Sequence, residues 1–184
     1  MTEIASTGQL RAGFARWVLV LVPGMSLLGF LSAMASNSGP ANPWFAALIK
    51  PGLYPPPIVF PIVWTGLYVL MGVALAIIIS ARGSVGRGVA IAAFAAHLVA
   101  NLVWSPLFFG AHRITAALVD VVVMDVTLVI AMVLYARVRP LAAVLLVPYL
   151  AWVLFATVLM VQVLQLNPDA DGQTAAVPVV HIKL

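Results

Sequence analysis

Polar residues punctuate this chain instead of alternating with apolar ones. Five long apolar runs, 17–35, 58–80, 89–109, 114–136 and 141–166, are separated by stretches in which Gly, Pro, Asn and Arg gather. The shortest run has 19 residues, and about 20 residues of helix cross the roughly 30 Å of hydrocarbon in a bilayer. β-spans would read as shorter, alternating segments. The pattern predicts an all-α fold, an integral membrane bundle of five transmembrane helices. The domain covers 17–166, with a capping loop over 36–57. A polar tail (1–16) precedes it and a loosely ordered tail (167–184) follows. Links as short as 110–113 and 137–140 make the last three helices antiparallel neighbours. Arg11, Arg16, the first run and Ala33-Met34-Ala35 together also have the layout of a cleavable leader. That run exceeds the usual length of about 7–15 apolar residues in a leader, so it is expected to stay as a helix.

The second run has an unusual entrance. Residues 50–71 read KPGLYPPPIVFPIVWTGLYVLM. The prolines in its first half exclude regular helix there, because each lacks a donor and clashes with the carbonyl one turn back. Beyond Pro61 the stretch is apolar and uncharged as far as Ser80. It predicts a rigid, extended cap that folds into a helix, with Phe60, Trp64 and Tyr68 in a stripe at helical spacing. Those rings read either as one wall of a cavity or as an anchor at the lipid interface. Before the cap, Asn-Ser-Gly-Pro and Asn-Pro turns lead into 44–49, which suits one short interfacial helix.

Composition narrows the classes further. The chain of 184 residues is 64% apolar and only 8% charged, against about a quarter charged in soluble domains. With no cysteine, disulfides, thiolate zinc sites and iron–sulfur centres are excluded. The formal charge of +4 is spread singly or in pairs beside the apolar runs, so it reports topology and not nucleic-acid binding. Arg11, Arg16, Arg82, Arg87, Arg137 and Arg139 fall on one side of the five-helix bundle, and Lys50, Arg113 and Lys183 on the other. That bias predicts an amino terminus inside and a carboxyl terminus outside.

Ionisable groups inside apolar helices are costly and point to function. His97, Asn101 and Trp104 are offset by 0, 4 and 7 and share a helix face. Asp120, Met124 and Thr127 share another, while Asp125 lies well round from it and finds no evident partner. His97, Asn101 and one aspartate can line a polar-spotted pocket, or they can bond helix to helix. Tyr149, Trp152 and Ala156 share a face of the fifth helix beside Phe155, and Pro148 is expected to bend that helix. An aromatic wall with few polar points suits a large, flat, apolar ligand, and equally a packed core. Gly88, Ala92, Ala96 and Ala100 form a small-residue seam that allows close approach of a neighbouring helix or a second copy. Residues 133–137 satisfy the loose cholesterol-contact pattern. There is no phosphate-binding loop, dinucleotide-binding glycine turn or HExxH motif.

The stretches KPGLYPPPIVFPIVWTGLYVLM (50–71), NLVWSPLFFG (101–110), ALVD (117–120) and PYLAWVLFA (148–156) resemble the TspO/MBR family of tryptophan-rich sensory and translocator proteins. The resemblance covers roughly 40–165. It implies five transmembrane helices, a first loop that caps a cavity, and frequent homodimers, here with the seam as a contact. It also implies a receptor or transport-type protein for protoporphyrin IX and haem-like tetrapyrroles. Some members bind sterols or benzodiazepine-type drugs, and no obligatory cofactor is implied. By the same resemblance the pocket uses Pro55, Pro56, Phe60, Trp64, Tyr68, Asn101, Trp104, Asp120, Tyr149, Trp152, Phe155 and Ala156. Trp64 and Trp152 match the pair tied to light-dependent porphyrin breakdown, which makes a porphyrin-degrading enzyme one alternative. An assembly partner in a membrane complex is the other. The chain departs from the family at Leu53 and Ile58, where tryptophans are usual, and at Met160, where an asparagine is usual. His97 replaces the usual glutamine and offers an axial ligand to a bound iron porphyrin. Lys50 or Arg113 is expected to meet the ligand's carboxylates.

Overall fold

The computed structural model describes residues 6–173. The tail beyond 173, with Lys183, lies outside that range. In order, α1 (Thr7–Ala35), α2 (Pro43–Ala47), α3 (Val59–Ser80), α4 (Arg87–Ser105), α5 (Ile114–Val138), α6 (Pro140–Val144) and α7 (Val147–Leu166) make up the fold. A π-turn, Pro106–Gly110, follows α4, and a 3-10 turn, Pro168–Ala170, follows α7. Five helical spans are long and apolar enough to cross a membrane. The α1–α3 and α4–α5 pairs are the main packings, with α5 against α6 and α7, and α6 returning to α3. The ring of spans therefore runs α1, α3, α6–α7, α5, α4.

Helix α1 begins well before its apolar run. Ser6 accepts from the Gln9 amide while the Gln9 side chain accepts from the Ser6 amide, a reciprocal cap that satisfies two orphan donors. The polar head expected as a tail is thus helical from Thr7. Close approach of α1 to α3 depends on two glycines. A Cβ on Gly72 would stand 2.8 Å from the Val22 backbone, and one on Gly29 would stand 2.2 Å from the Tyr68 ring.

Prolines decide where spans change course. Pro106 cannot donate to the Leu102 carbonyl, and Ser32 of α1 donates to that carbonyl instead, at 2.7 Å. This is the kind of side-chain rescue that lets proline sit in a membrane helix. Beyond it the ladder widens, with the Ala111 amide bonding the Pro106 carbonyl at 2.8 Å. Pro148 acts similarly: its ring would collide with the Val144 carbonyl, and α6 stops at Val144. The fifth span is therefore two helices with a break at Leu145 and Leu146, the bend expected from Pro148.

One end of the bundle is built from chain that would otherwise be loose. Asn42 caps α2 and donates to the Phe109 carbonyl at 3.1 Å. The Trp44 indole donates to the Ala170 carbonyl at 3.3 Å. Asn167 pairs with both backbone groups of Ile49, accepting from its amide at 2.8 Å and donating to its carbonyl at 2.9 Å. The Gly172 amide donates to the His112 carbonyl at 2.8 Å. Residues 167–173, expected as the start of a loose tail, instead form a strap tied to the capping loop. The opposite end carries Arg82 and Arg139 between spans, with Arg87 opening α4 and Arg137 in the last turn of α5.

Candidate functional site

The polar side chains of the spans meet in one connected line. Tyr68 of α3 donates its hydroxyl proton to Asn101 Oδ1 on α4 at 3.1 Å. Asn101 Nδ2 donates to the Tyr149 oxygen on α7 at 2.7 Å. Tyr149 lies 2.9 Å from His97 Nε2, and His97 Nδ1 lies 3.1 Å from Thr127 Oγ1 on α5. Thr127 gives its own proton to the Val123 carbonyl at 2.7 Å, so its oxygen is the acceptor for Nδ1–H. That fixes Nε2 as acceptor for the Tyr149 hydroxyl. Each hydroxyl and ring N–H proton is then used once, and the line ends on a backbone carbonyl. Four spans are joined by it, with His97 and Tyr149 wholly buried.

An aromatic wall covers this line on the α3–α7 side. Trp64 meets Tyr149 edge-on at 6.1 Å and tilts against Tyr68 at 5.5 Å. Phe60 meets Trp152 edge-on at 5.8 Å, and Phe155 tilts against Trp152 at 5.6 Å. Tyr54 of the loop stacks on Phe60 at 5.2 Å. The structure thus brings Phe60, Trp64, Tyr68, His97, Asn101, Tyr149, Trp152 and Phe155 together. Half-buried Pro55 and exposed Pro56 lie at the entrance, where the Pro56 carbonyl accepts from the Val59 amide at 2.9 Å. Ala156, half-buried, follows Phe155 on α7.

Two expected members stand apart. Trp104 stacks on Phe108 at 5.2 Å and meets Phe109 at 5.9 Å. It belongs to a second aromatic cluster, with Phe45 and Trp44, under the capping loop. Asp120 lies two helical turns from Thr127, half-buried, with one carboxylate oxygen lacking a partner. Asp125, unexplained by sequence, accepts from Thr157 of α7 at 2.7 Å. It ties α5 to α7.

Three further expectations change. The rings meet across the centre, Phe60 against Trp152 and Trp64 against Tyr149, so the wall is closed and no open chamber lies behind the cap. A cavity of about 290 Å³ lies instead at the loop end, between Ser36, Asn42, Trp44, Phe109 and His112. His97 has both ring nitrogens engaged beneath Tyr149, which does not fit axial ligation of a porphyrin iron. Lys50 is also committed. Its ammonium caps α2 by donating to the carbonyls of Phe45, Ala46 and Leu48, and it sits over the Phe45 ring. Partial burial holds it below its ordinary pKa. Arg113, exposed at the α5 entrance, remains available to a carboxylate.

Sequence reasoning overlooked Gly29, Ser32, Thr157 and Asn167. For the first three, small or hydroxylic residues in apolar runs were the available signal, since such residues mark close helix contacts.

A profile of the TspO/MBR family matches residues 19–166. The chain is 40% identical over 153 residues to the tryptophan-rich protein TspO of Chlorobaculum tepidum, covering 82% of this chain and 96% of that one. It is 38% identical over 146 residues to a tryptophan-rich sensory protein of Cereibacter sphaeroides, covering 75% of this chain and 90% of that one. With the translocator protein of Sus scrofa it shares 40% over 141 residues, 76% of this chain and 82% of that one. Because the match runs through all five spans and the line of polar residues they hold, the chain belongs to the TspO/MBR family of multi-pass membrane proteins.

Proposed function

We propose that this protein is a membrane receptor for flat tetrapyrroles such as protoporphyrin IX, and that it works as a sensor. The observation that carries the reading is the aromatic wall Phe60, Trp64, Trp152 and Phe155 laid over the Tyr68–Asn101–Tyr149 line. Indole and phenyl faces stack on a macrocycle, and parting them exposes hydroxyl and amide groups that can meet its nitrogens. His97 supports Tyr149 from behind instead of touching the ligand. Arg113, near the loop end, suits a propionate. The names of relatives, a tryptophan-rich sensory protein and translocator proteins, agree with a receptor role. The test is quenching of tryptophan fluorescence by protoporphyrin IX. Binding should weaken at least tenfold in Trp64→Phe/Trp152→Phe and stay unchanged in Trp17→Phe, whose ring faces outward on α1. Equal binding by all three proteins would sink the reading.

The arginine-rich end is inferred to face the cytoplasm. Because the chain has no cysteine, single cysteines at Ser84 and Asn37 report this directly. In intact cells an impermeant maleimide should label only the second. Gly88, Ala92 and Ala96 lie exposed along α4, which suits self-association through that seam.

A further inference from the structure

The break in the fifth span leaves a groove on the outside of the bundle. Its volume is about 310 Å³, and its walls are Val129, Val133 and Ala136 of α5 against Ala143, Val147 and Leu150 across the break. From Val129 to Ala136 it runs about 10 Å along the helix axis. At one end lies the turn that carries Arg137 and Arg139, both exposed. Arg139 makes one hydrogen bond, to the Val138 carbonyl at 2.8 Å, which leaves most of its five donors free.

The charge around that turn is one-sided. Arg82 and Arg87 share the same end of the bundle. The described carboxylates lie elsewhere: Asp120 and Asp125 are within α5, and Asp169 and Asp171 are on the strap at the opposite end. Among the described residues, nothing neutralises the guanidiniums at this end. The cholesterol-contact pattern at 133–137 does not account for the groove, since Tyr135 points inward, wholly buried and 5.6 Å from Phe94.

We propose that this groove holds one acyl chain of an anionic phospholipid, whose phosphodiester is gripped by Arg137 and Arg139. An apolar trough opening onto paired guanidiniums matches both halves of such a lipid. A zwitterionic lipid offers the same tail and a phosphate already neutralised by its own amine. The site is independent of the aromatic wall and stands whether or not a tetrapyrrole binds there.

The experiment is native mass spectrometry of the full chain, released from nanodiscs of four parts phosphatidylcholine to one part phosphatidylglycerol. The native protein should retain one phosphatidylglycerol in preference to phosphatidylcholine. At roughly 1 kcal/mol per arginine near a surface, Arg137→Gln/Arg139→Gln should cut the preference by ten-fold or more. Arg82→Gln/Arg87→Gln should leave it nearly intact, and Ala143→Phe, which fills the trough, should release the lipid with all charges present. Equal loss in both arginine pairs would mean diffuse surface charge and overturn the proposal. Retention in Ala143→Phe would overturn the acyl-chain seat. A dimer that dissociates in Ala143→Phe, with lipid uptake unchanged, would give the groove to a second copy instead. Each variant's helix content and elution volume, measured alongside, separate loss of the site from loss of the fold.

Discussion

Two aromatic clusters lie on different elements of one bundle, the first on α2, α4 and the turn after it, the second on α3 and α7, and they are held by different forces. Under the capping loop, Trp44, Phe45, Phe108 and Phe109 pack edge to face and Trp104 stacks on Phe108, and the polar bonds around them run mostly to backbone carbonyls. Deeper in the spans, Tyr68 and Tyr149 are pinned through side-chain hydrogen bonds donated in one direction, and Trp64 packs against both rings. Chain near water can lend backbone groups to tie a loop down. A membrane helix has spent nearly all its backbone groups on itself, so apart from a carbonyl freed by proline, such as that of Leu102, side chains must fix one span against another. The deep cluster should therefore be sensitive to single atoms, and the loop cluster should yield gradually.

The largest effect is expected where the deep cluster has no slack. Gly29→Ala places a methyl 2.2 Å from the Tyr68 ring. The ring must leave, and its bond to Asn101 goes with it. A loss of about 3 kcal/mol is expected, the upper part of the usual overpacking range, read by unfolding in mixed micelles of rising dodecyl sulfate content. Gly24→Ala is the control, because open space surrounds that position. It should be neutral or slightly stabilising, as alanine favours helix. Similar losses in both would mean that the Gly29 contact carries no special weight.

Next comes the centre of the line. His97→Leu leaves the Tyr149 proton without an acceptor in a buried site, at a cost of about 2 kcal/mol. His97→Gln can both donate and accept, so it should recover most of that. Equal destabilisation by leucine and glutamine would mean that ring packing, not the relay, is what matters at this position.

The contrast between the clusters also explains what the chain's order of residues revealed. The spans were legible because apolar runs of this length have one stable reading in lipid, and their ends fall near Ala35, Ser80 and Leu166 as expected. The start of α1 was hidden in a short polar motif, Ser6 to Gln9, that a hydropathy reading passes over. Within the site, His97 and Asn101 were legible as a pair four residues apart on one face. Trp104 shares their face but sits farther along it, where Phe108 takes it into the other cluster. Asp125 could not be assigned because its partner, Thr157, is 32 residues away, and only the α5–α7 packing brings them together. The closed state of the wall was likewise invisible, since spacing fixes which rings share a face and not how far apart two faces stand.

The loop cluster should give a milder response. Asn167→Ala removes both bonds to Ile49 and one to the Val163 carbonyl, but the Trp44–Ala170 and Gly172–His112 contacts stay. About 1 kcal/mol of local opening free energy should be lost, seen as roughly five-fold faster hydrogen exchange at the Ile49 amide. Exchange at the Asn101 amide should not change. If both amides accelerate together, the strap and the deep line open as one unit, and the division between the clusters fails.

The smallest effect is expected at the outer margin of the deep region. Thr157→Val keeps the shape of the side chain and removes the donor to Asp125. Single interhelical bonds in a membrane average about 0.6 kcal/mol, because a carboxyl released in the unfolded bundle finds other partners. A loss near that value would make Asp125 an ordinary tie between α5 and α7. A loss above about 2 kcal/mol would mean that Asp125 depends on Thr157 for its place in the spans. The deep line would then extend from Tyr68 through Thr127 to the α5–α7 seam, and the four spans it joins would answer to one polar network.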